Sequence, residues 1–78
     1  MDDIKKRVAS SKVLAMVGEI EREREAAHKI PTYARVIELR DRTRLSNADL
    51  LELLEDLEGK GYIETGRTIN DTFVRLKK

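Results

Sequence analysis

The chain has 78 residues, which suffices for one small domain but not for a deep hydrophobic core, so we expect a simple fold. Charged residues make up 40% of it, yet 16 Lys and Arg nearly balance 15 Asp and Glu, so net charge neither indicates nor excludes a nucleic-acid partner. The absence of cysteine excludes disulfides and thiolate metal sites, and no apolar run approaches the length of a membrane span, so we expect a cytoplasmic protein.

A long first helix is predicted over about residues 3–29, with alternating charges at residues 21–25 on its solvated face. Two alternatives remain for residues 1–9. They either extend this helix or form a frayed arm, because Ser10 and Ser11 offer a second N-cap. The apolar positions at helical spacing are Val13, Met16, Ile20, Ala27 and Ile30.

A second helix is predicted to follow Pro31. Proline disfavours helical geometry at the residue before it and suits the first turn of a helix, so the chain should break at Ile30 and restart at residue 31 or 32. This helix would end at residue 40 or 41, and residues 42–45 would lead to the next helix. Its apolar positions would be Ala34, Ile37 and Leu39.

The strongest local signals belong to a third helix. Ser46 is a favourable N-cap, and Asp49 places a negative charge beside the helix N-terminus. Gly61 is predicted to end the segment in the left-handed conformation. The core-facing positions would be Leu50, Leu53, Leu54 and Leu57.

Two short β-strands are predicted after this helix, at residues 62–65 and 72–76, because both runs are rich in β-branched and aromatic residues. A six-residue loop, residues 66–71, would join them through Gly, Asn and Asp. Ile63, Val74 and Leu76 would cover the helices, while Glu64, Arg75 and Lys77 would face water.

This order of elements, and above all the run LEGKGYIE at residues 57–64, resembles the winged helix-turn-helix family of DNA-binding domains over residues 10–77. The resemblance implies a mainly α fold with a small β-hairpin, as one winged-helix domain of residues 1–78. It also implies a transcriptional regulator or accessory factor bound to double-stranded DNA, with the third helix in the major groove. The groove-facing positions would be Asn47, Ala48, Leu51, Glu52 and Glu55.

The third helix carries acids and no Lys or Arg between residues 46 and 58, so contacts with phosphates must come from elsewhere in the chain. Glu38 and Asp41 lie among the arginines of the second helix, and a salt-bridged, solvated helix face explains these arginines equally well. The expected DNA-binding residues are Arg35, Arg40, Arg42, Arg44, Asn47, Arg67 and Asn70.

An alternative function is a protein-interaction or dimerisation module that uses Leu51, Glu52 and Glu55, because an exposed leucine between carboxylates suits a protein interface. A single exposed leucine is also ordinary. A homodimer through the first helix is a further expectation. The sequence contains no phosphate loop, no nucleophile with a base and no metal-ligand spacing, so we expect neither catalysis nor a bound cofactor or metal.

Overall fold

The structure is a computed structural model that describes residues 2–29, 33–67, 69 and 71–77. Within these residues the fold is mainly helical, with three helices and a small antiparallel sheet whose strand order is β1-β3-β2. In the described part of the chain, no helix has both the length and the apolar character needed to cross a membrane. The elements are α1 (Asp3–Ala26), β1 (Ala34–Arg35), α2 (Val36–Thr43), α3 (Asn47–Gly59), β2 (Ile63–Arg67) and β3 (Thr72–Leu76).

Helix α1 begins earlier than Ser10 and continues without a break. The Asp2 carboxylate accepts a hydrogen bond from the Lys5 backbone N–H at 2.8 Å and caps the first turn. Residues 3–9 are therefore helical and do not form a frayed arm. The helix ends at Ala26, before the predicted end near residue 29, and exposed Ala27 is its C-cap. The predicted apolar position Ile30 lies outside the described residues.

The prediction for the start of the second helix was wrong. Residues 34 and 35 form the short strand β1, in which Ala34 pairs with Val74 and Arg35 pairs with Phe73 of β3. The pairing buries Ala34 completely. The helical start signal at Pro31, which itself lies outside the described residues, takes no account of a strand partner so distant in sequence.

Helix α2 consequently runs from Val36 to Thr43, two or three residues beyond its predicted end at residue 40 or 41. Its buried positions are Val36, Leu39 and Thr43, whereas Ile37, expected in the core, is 42% exposed. Residues 36, 39 and 43 are three and four residues apart, so they lie on one side of the helix, and this side faces the core. Arg44 follows at φ 59°, and its N–H donates to the Arg40 carbonyl at 2.9 Å.

The structure confirms the predictions made for the cap, the C-terminal turn and the buried face of α3. The Ser46 hydroxyl accepts a hydrogen bond from the Asp49 N–H at 3.2 Å, and Gly61 takes a left-handed conformation with φ 82°. The side chains predicted to face the core are buried, namely Leu50, Leu53, Leu54 and Leu57. They pack with Val13, Val17 and Ile20 of α1 and with Ile63 and Val74 of the sheet in one core.

The β2–β3 hairpin is longer and its loop shorter than predicted. Gly66 pairs with Phe73 and Arg67 with Thr72, so β2 ends at Arg67, and four residues, 68–71, connect the strands. Tyr62 lies just before β2, outside the strand. Leu76 is partly buried against the core as expected, and Glu64 pairs with Arg75 at 2.6 Å.

Candidate functional site

One face of α3 is turned away from the core. Its leucines at positions 50, 53, 54 and 57 are buried, and Leu51, which lies off that stripe, is 47% exposed. The structure therefore places the groove-facing positions of the sequence analysis together on one accessible face. These exposed residues are Asn47, Ala48, Leu51, Glu52 and Glu55.

An open groove separates this face from the β2–β3 hairpin. Leu51 and Glu55 line the α3 side of the groove, and Arg67 lines the hairpin side. Arg67 is the last residue of β2 and is exposed. The structure thus brings one predicted DNA-binding residue and two residues of the alternative protein interface into the same groove.

Glu58 attaches the hairpin to α3. Its carboxylate accepts hydrogen bonds from both the backbone N–H of Thr65, at 2.9 Å, and the Thr65 hydroxyl. The bond orients β2, and with it Arg67, relative to the outward face of α3. No local sequence signal predicts this role, because Glu58 and Thr65 are seven residues apart and separated by a turn.

Two of the predicted DNA-binding arginines are engaged within the protein. Arg35 Nε lies 3.3 Å from a Glu38 carboxylate oxygen, and Arg42 Nη2 lies 2.8 Å from Glu23 on α1. The hydrogen bond from Arg42 to Glu23 raises the pKa of the Arg42 guanidinium. Glu38 also binds Arg24 of α1. This side of α2 therefore joins the second helix to the first.

The other predicted arginines are not engaged in this way. Arg40, Arg44 and Arg67 are exposed, and across the described residues none of the three has an ion pair or a side-chain hydrogen bond. Arg40 lies in the last turn of α2, and Arg44 is the C-cap of that helix, in the left-handed conformation. Asn47 opens α3 three residues later. Asn70, the remaining candidate, lies outside the described residues.

The acidity of α3 is partly offset by lysines. Lys60 Nζ lies 3.0 Å from the Asp56 carboxylate, and Lys6 Nζ of α1 lies 3.9 Å from both Asp56 and Glu52. The hydrogen bond from Lys60 lowers the pKa of the Asp56 carboxyl, and Lys6 adds to this effect. Glu55, in the groove, has no such partner among the described residues.

Side chains that could bind a metal do not come together in the described part of the chain, where no group of three His, Asp or Glu residues converges. His28 is exposed in the turn after α1, with φ 54°. Comparison with known proteins identifies no family model, curated protein or solved structure that matches this chain.

Proposed function

We propose that the protein is a small winged-helix protein that binds duplex DNA in the cytoplasm, as a transcriptional regulator or accessory factor. In this proposal, α3 is presented to the major groove and the β2–β3 hairpin is the wing. The observation that carries it is that three exposed arginines, Arg40, Arg44 and Arg67, have no ion-pair partner among the described residues. Arg44 lies three residues before the first residue of α3, Arg40 lies in the last turn of α2, and Arg67 lies across the groove from α3.

Arginines are assigned to phosphate binding according to whether the guanidinium already has an ion-pair partner within the protein. Among the described residues, Arg40, Arg44 and Arg67 have no carboxylate partner that a phosphate would have to displace. Arg35 and Arg42 would each give up an ion pair, to Glu38 and Glu23, before binding a phosphate. Such an exchange of one anion for another reduces the gain from the new contact.

Asn47 is the residue assigned to base recognition, because an exposed Asn side chain at the start of a recognition helix can form a bidentate contact with adenine. Glu55 opposes phosphate binding, since it adds a negative charge to the groove that Arg67 lines on the other side. The expected complex is therefore weak and strongly dependent on salt, with a few cationic contacts that outweigh a local repulsion.

The test is a fluorescence-anisotropy titration of the full chain against a labelled, mixed-sequence duplex at several salt concentrations. Arg40→Gln, Arg44→Asn and Arg67→Gln should each weaken binding and reduce the slope of log K against log salt by about 1. Asn is chosen at residue 44 because it tolerates the left-handed backbone found there. Asn47→Ala should weaken binding only to particular sequences.

Arg42→Gln is the matched control, because it removes the same charge from α2 on the side engaged by Glu23. It should change the salt slope less than Arg40→Gln does. Glu55→Gln should strengthen binding, since it removes a negative charge beside the expected phosphate path. Absence of binding at low salt, or equal effects of Arg40→Gln and Arg42→Gln, would contradict the proposal.

A second candidate function is protein recognition through the groove, and the composition of its wall favours this. Leu51 is 47% exposed there, Leu54 lies beneath it, and Glu55 supplies an unpaired carboxylate. An apolar strip bordered by acid fits a basic amphipathic helix, whose apolar side chains would cover the leucines. The predicted interface residue Glu52 lies on the same face of α3.

This candidate is tested with a synthetic amphipathic peptide of Leu and Lys, titrated into the full chain while tryptophan placed in the peptide is monitored. Leu51→Ala and Glu55→Gln should both weaken binding if the groove is used. Glu64→Gln, which removes a carboxylate paired with Arg75 outside this groove, is the control. Binding that is unchanged by Leu51→Ala would exclude the groove as the peptide site.

A further inference from the structure

The sheet has a five-residue strand at one edge. Among the described residues, the strand order β1-β3-β2 places β2 on the outside, where it pairs with β3 alone. The outward N–H and C=O groups of an edge strand are available to a strand of another chain, and such edges promote unwanted association unless something covers them. Strand β1, at the other edge, has only two residues. The β2 edge is therefore the longer of the two.

The backbone N–H of Thr65 faces the open side of β2. Its acceptor is the Glu58 carboxylate of α3, at 2.9 Å, so this N–H points away from β3. N–H groups two residues apart in a strand point to the same side, and the Arg67 N–H therefore faces the open side as well. The N–H of Gly66, between them, points toward β3.

Glu58 contacts the strand edge and contributes little to the core. Its side chain is exposed, and both of the donors that its carboxylate binds, the backbone N–H and the hydroxyl, belong to Thr65. The neighbouring Leu54 and Leu57 are buried and hold α3 against the core. Replacement of Glu58 should therefore change the β2 edge and leave the packing of α3 in place.

A second glutamate satisfies a sheet amide on the opposite side of the hairpin. Strand β1 pairs only with Phe73 and Val74, so β3 extends beyond it. The backbone N–H of Leu76, two residues after Val74, donates to the Glu21 carboxylate of α1 at 3.0 Å. In both places, a helix supplies a carboxylate to a backbone N–H that has no strand beside it in the described part of the chain.

The open side of β2 borders the groove between α3 and the hairpin. Glu58 and Thr65 line this groove together with Leu51, Glu55 and Arg67. A strand added to β2 would lie in the groove, with a carbonyl oxygen directed at the Thr65 N–H. The Glu58 carboxylate oxygen already occupies the place of that carbonyl.

We propose that Glu58 closes the β2 edge against strand addition, and that β2 pairs with β2 of a second copy when the Glu58 carboxylate is removed. In a solution of the purified chain, a second copy is the only source of another strand. Two identical edges pair in antiparallel directions about a two-fold axis. The proposal does not depend on DNA binding, because neither Glu58 nor Thr65 is assigned to a phosphate or a base.

The first experiment compares the masses of the wild type, Glu58→Ala and Glu58→Gln by sedimentation equilibrium, over one range of protein concentrations. Glu58→Ala removes the acceptor and should self-associate at concentrations at least about tenfold below those that the wild type requires. Glu58→Gln retains an acceptor oxygen and should remain close to the wild type. Equal association of the two variants would assign the effect to the lost charge and overturn the proposal.

Matched controls separate an open edge from a weakened fold. Thr65→Val removes the hydroxyl donor and retains the N–H that Glu58 binds. Ser46→Ala removes the cap of α3 and does not alter β2. Both variants should be less stable than the wild type and associate no more strongly. Association of Ser46→Ala at the concentrations that suffice for Glu58→Ala would indicate a general effect of instability and contradict the proposal.

Amide hydrogen exchange, followed by NMR, locates the contact. In Glu58→Ala, the N–H groups of Thr65 and Arg67 should exchange at least about tenfold more slowly at high protein concentration than at low, because carbonyls of the partner strand accept them. The N–H of Gly66, which points toward β3, is the internal control. Unchanged exchange at Thr65 and Arg67 in an associated variant would overturn the proposal, as would a Glu58→Ala variant that associates no more than the wild type.

Discussion

Gly66 and Phe73 face each other across the β2–β3 hairpin, and the Phe73 ring lies over Gly66 where a side chain would stand. A Cβ atom at residue 66 would overlap the ring. The ring also stacks with Tyr33, with centroids 4.7 Å apart and planes inclined by 28°. Glycine at residue 66 thus allows Phe73 to join the hairpin to the segment before β1.

Gly66→Ala should lower the free energy of unfolding by about 1 to 3 kcal/mol, because the Phe73 ring would have to move and lose its stacking on Tyr33. Urea denaturation followed by far-UV circular dichroism measures this change. Gly59→Ala is the control, since a Cβ at residue 59 meets nothing within 4 Å. It should leave the stability unchanged or raise it by up to about 1 kcal/mol. Equal effects of the two substitutions would exclude steric overlap as the cause.

The cap of α3 gives a second prediction. Ser46→Ala removes the acceptor of the Asp49 N–H and should cost about 1 kcal/mol of stability. Ser46→Asn, which can accept the same hydrogen bond, should retain most of it. Thermal denaturation of the three proteins measures the difference. Loss of stability in Ser46→Asn as large as in Ser46→Ala would show that the hydroxyl acts in some way other than capping.

The bond between Glu58 and Thr65 gives a third prediction. Glu58→Gln weakens a charge-assisted hydrogen bond and Thr65→Val removes one of its two donors, so each should cost about 0.5 to 1.5 kcal/mol. The double variant should cost less than the sum of the two single variants, because both remove the same interaction. Urea denaturation of all four proteins measures this coupling. Additive effects would mean that the two side chains act separately.

The Asp56 carboxyl gives a prediction about pH. Its pKa is lowered chiefly by the hydrogen bond from Lys60, with a smaller contribution from Lys6. A pKa lowered in the folded state contributes stability above the pKa of the unfolded state, about 3.9. This contribution is lost as the pH falls through the lower, folded-state value. Acid-induced loss of stability should therefore be smaller in Asp56→Asn than in the wild type.

Carboxyl-carbon NMR titrations measure the cause directly. Lys60→Gln should raise the pKa of Asp56 toward its ordinary value, whereas Lys6→Gln should raise it less, because the Lys6 Nζ atom is 3.9 Å away and the Lys60 Nζ atom 3.0 Å. A larger rise in Lys6→Gln would reverse this assignment.

Signals close together in the sequence predicted α3 well. The Ser46 cap, the leucine spacing and the turn at Gly61 each act within a few residues of the structure they specify, and the structure confirms them. The strand at Ala34 could not be predicted in this way, because its partner is Val74, about 40 residues later. The long-range pairing of Ala34 with Val74 outweighed the helix start that Pro31 predicts.

In the candidate site, too, local sequence signals predicted some features, whereas contacts between helices could not be predicted. Exposure of Leu51 followed from its place beside the leucine stripe, and the structure confirms it. The sequence left open whether the arginines of residues 35–44 bind phosphate or neighbouring acids. Pairing of Arg42 with Glu23 depends on how two helices pack, as does the contact of Lys6 with α3. Periodicity within one helix does not determine such contacts.

Strand β3 lies between β1 and β2, and Val74 pairs with both Ala34 and Thr65. Without β3, neither neighbouring strand would have a backbone partner, and so short a strand as β1 could not persist alone. The hairpin is therefore not a detachable appendage of a helical domain. Amide protons of β1 and β2 should exchange with solvent through one shared opening event, and the domain should unfold as a single cooperative unit.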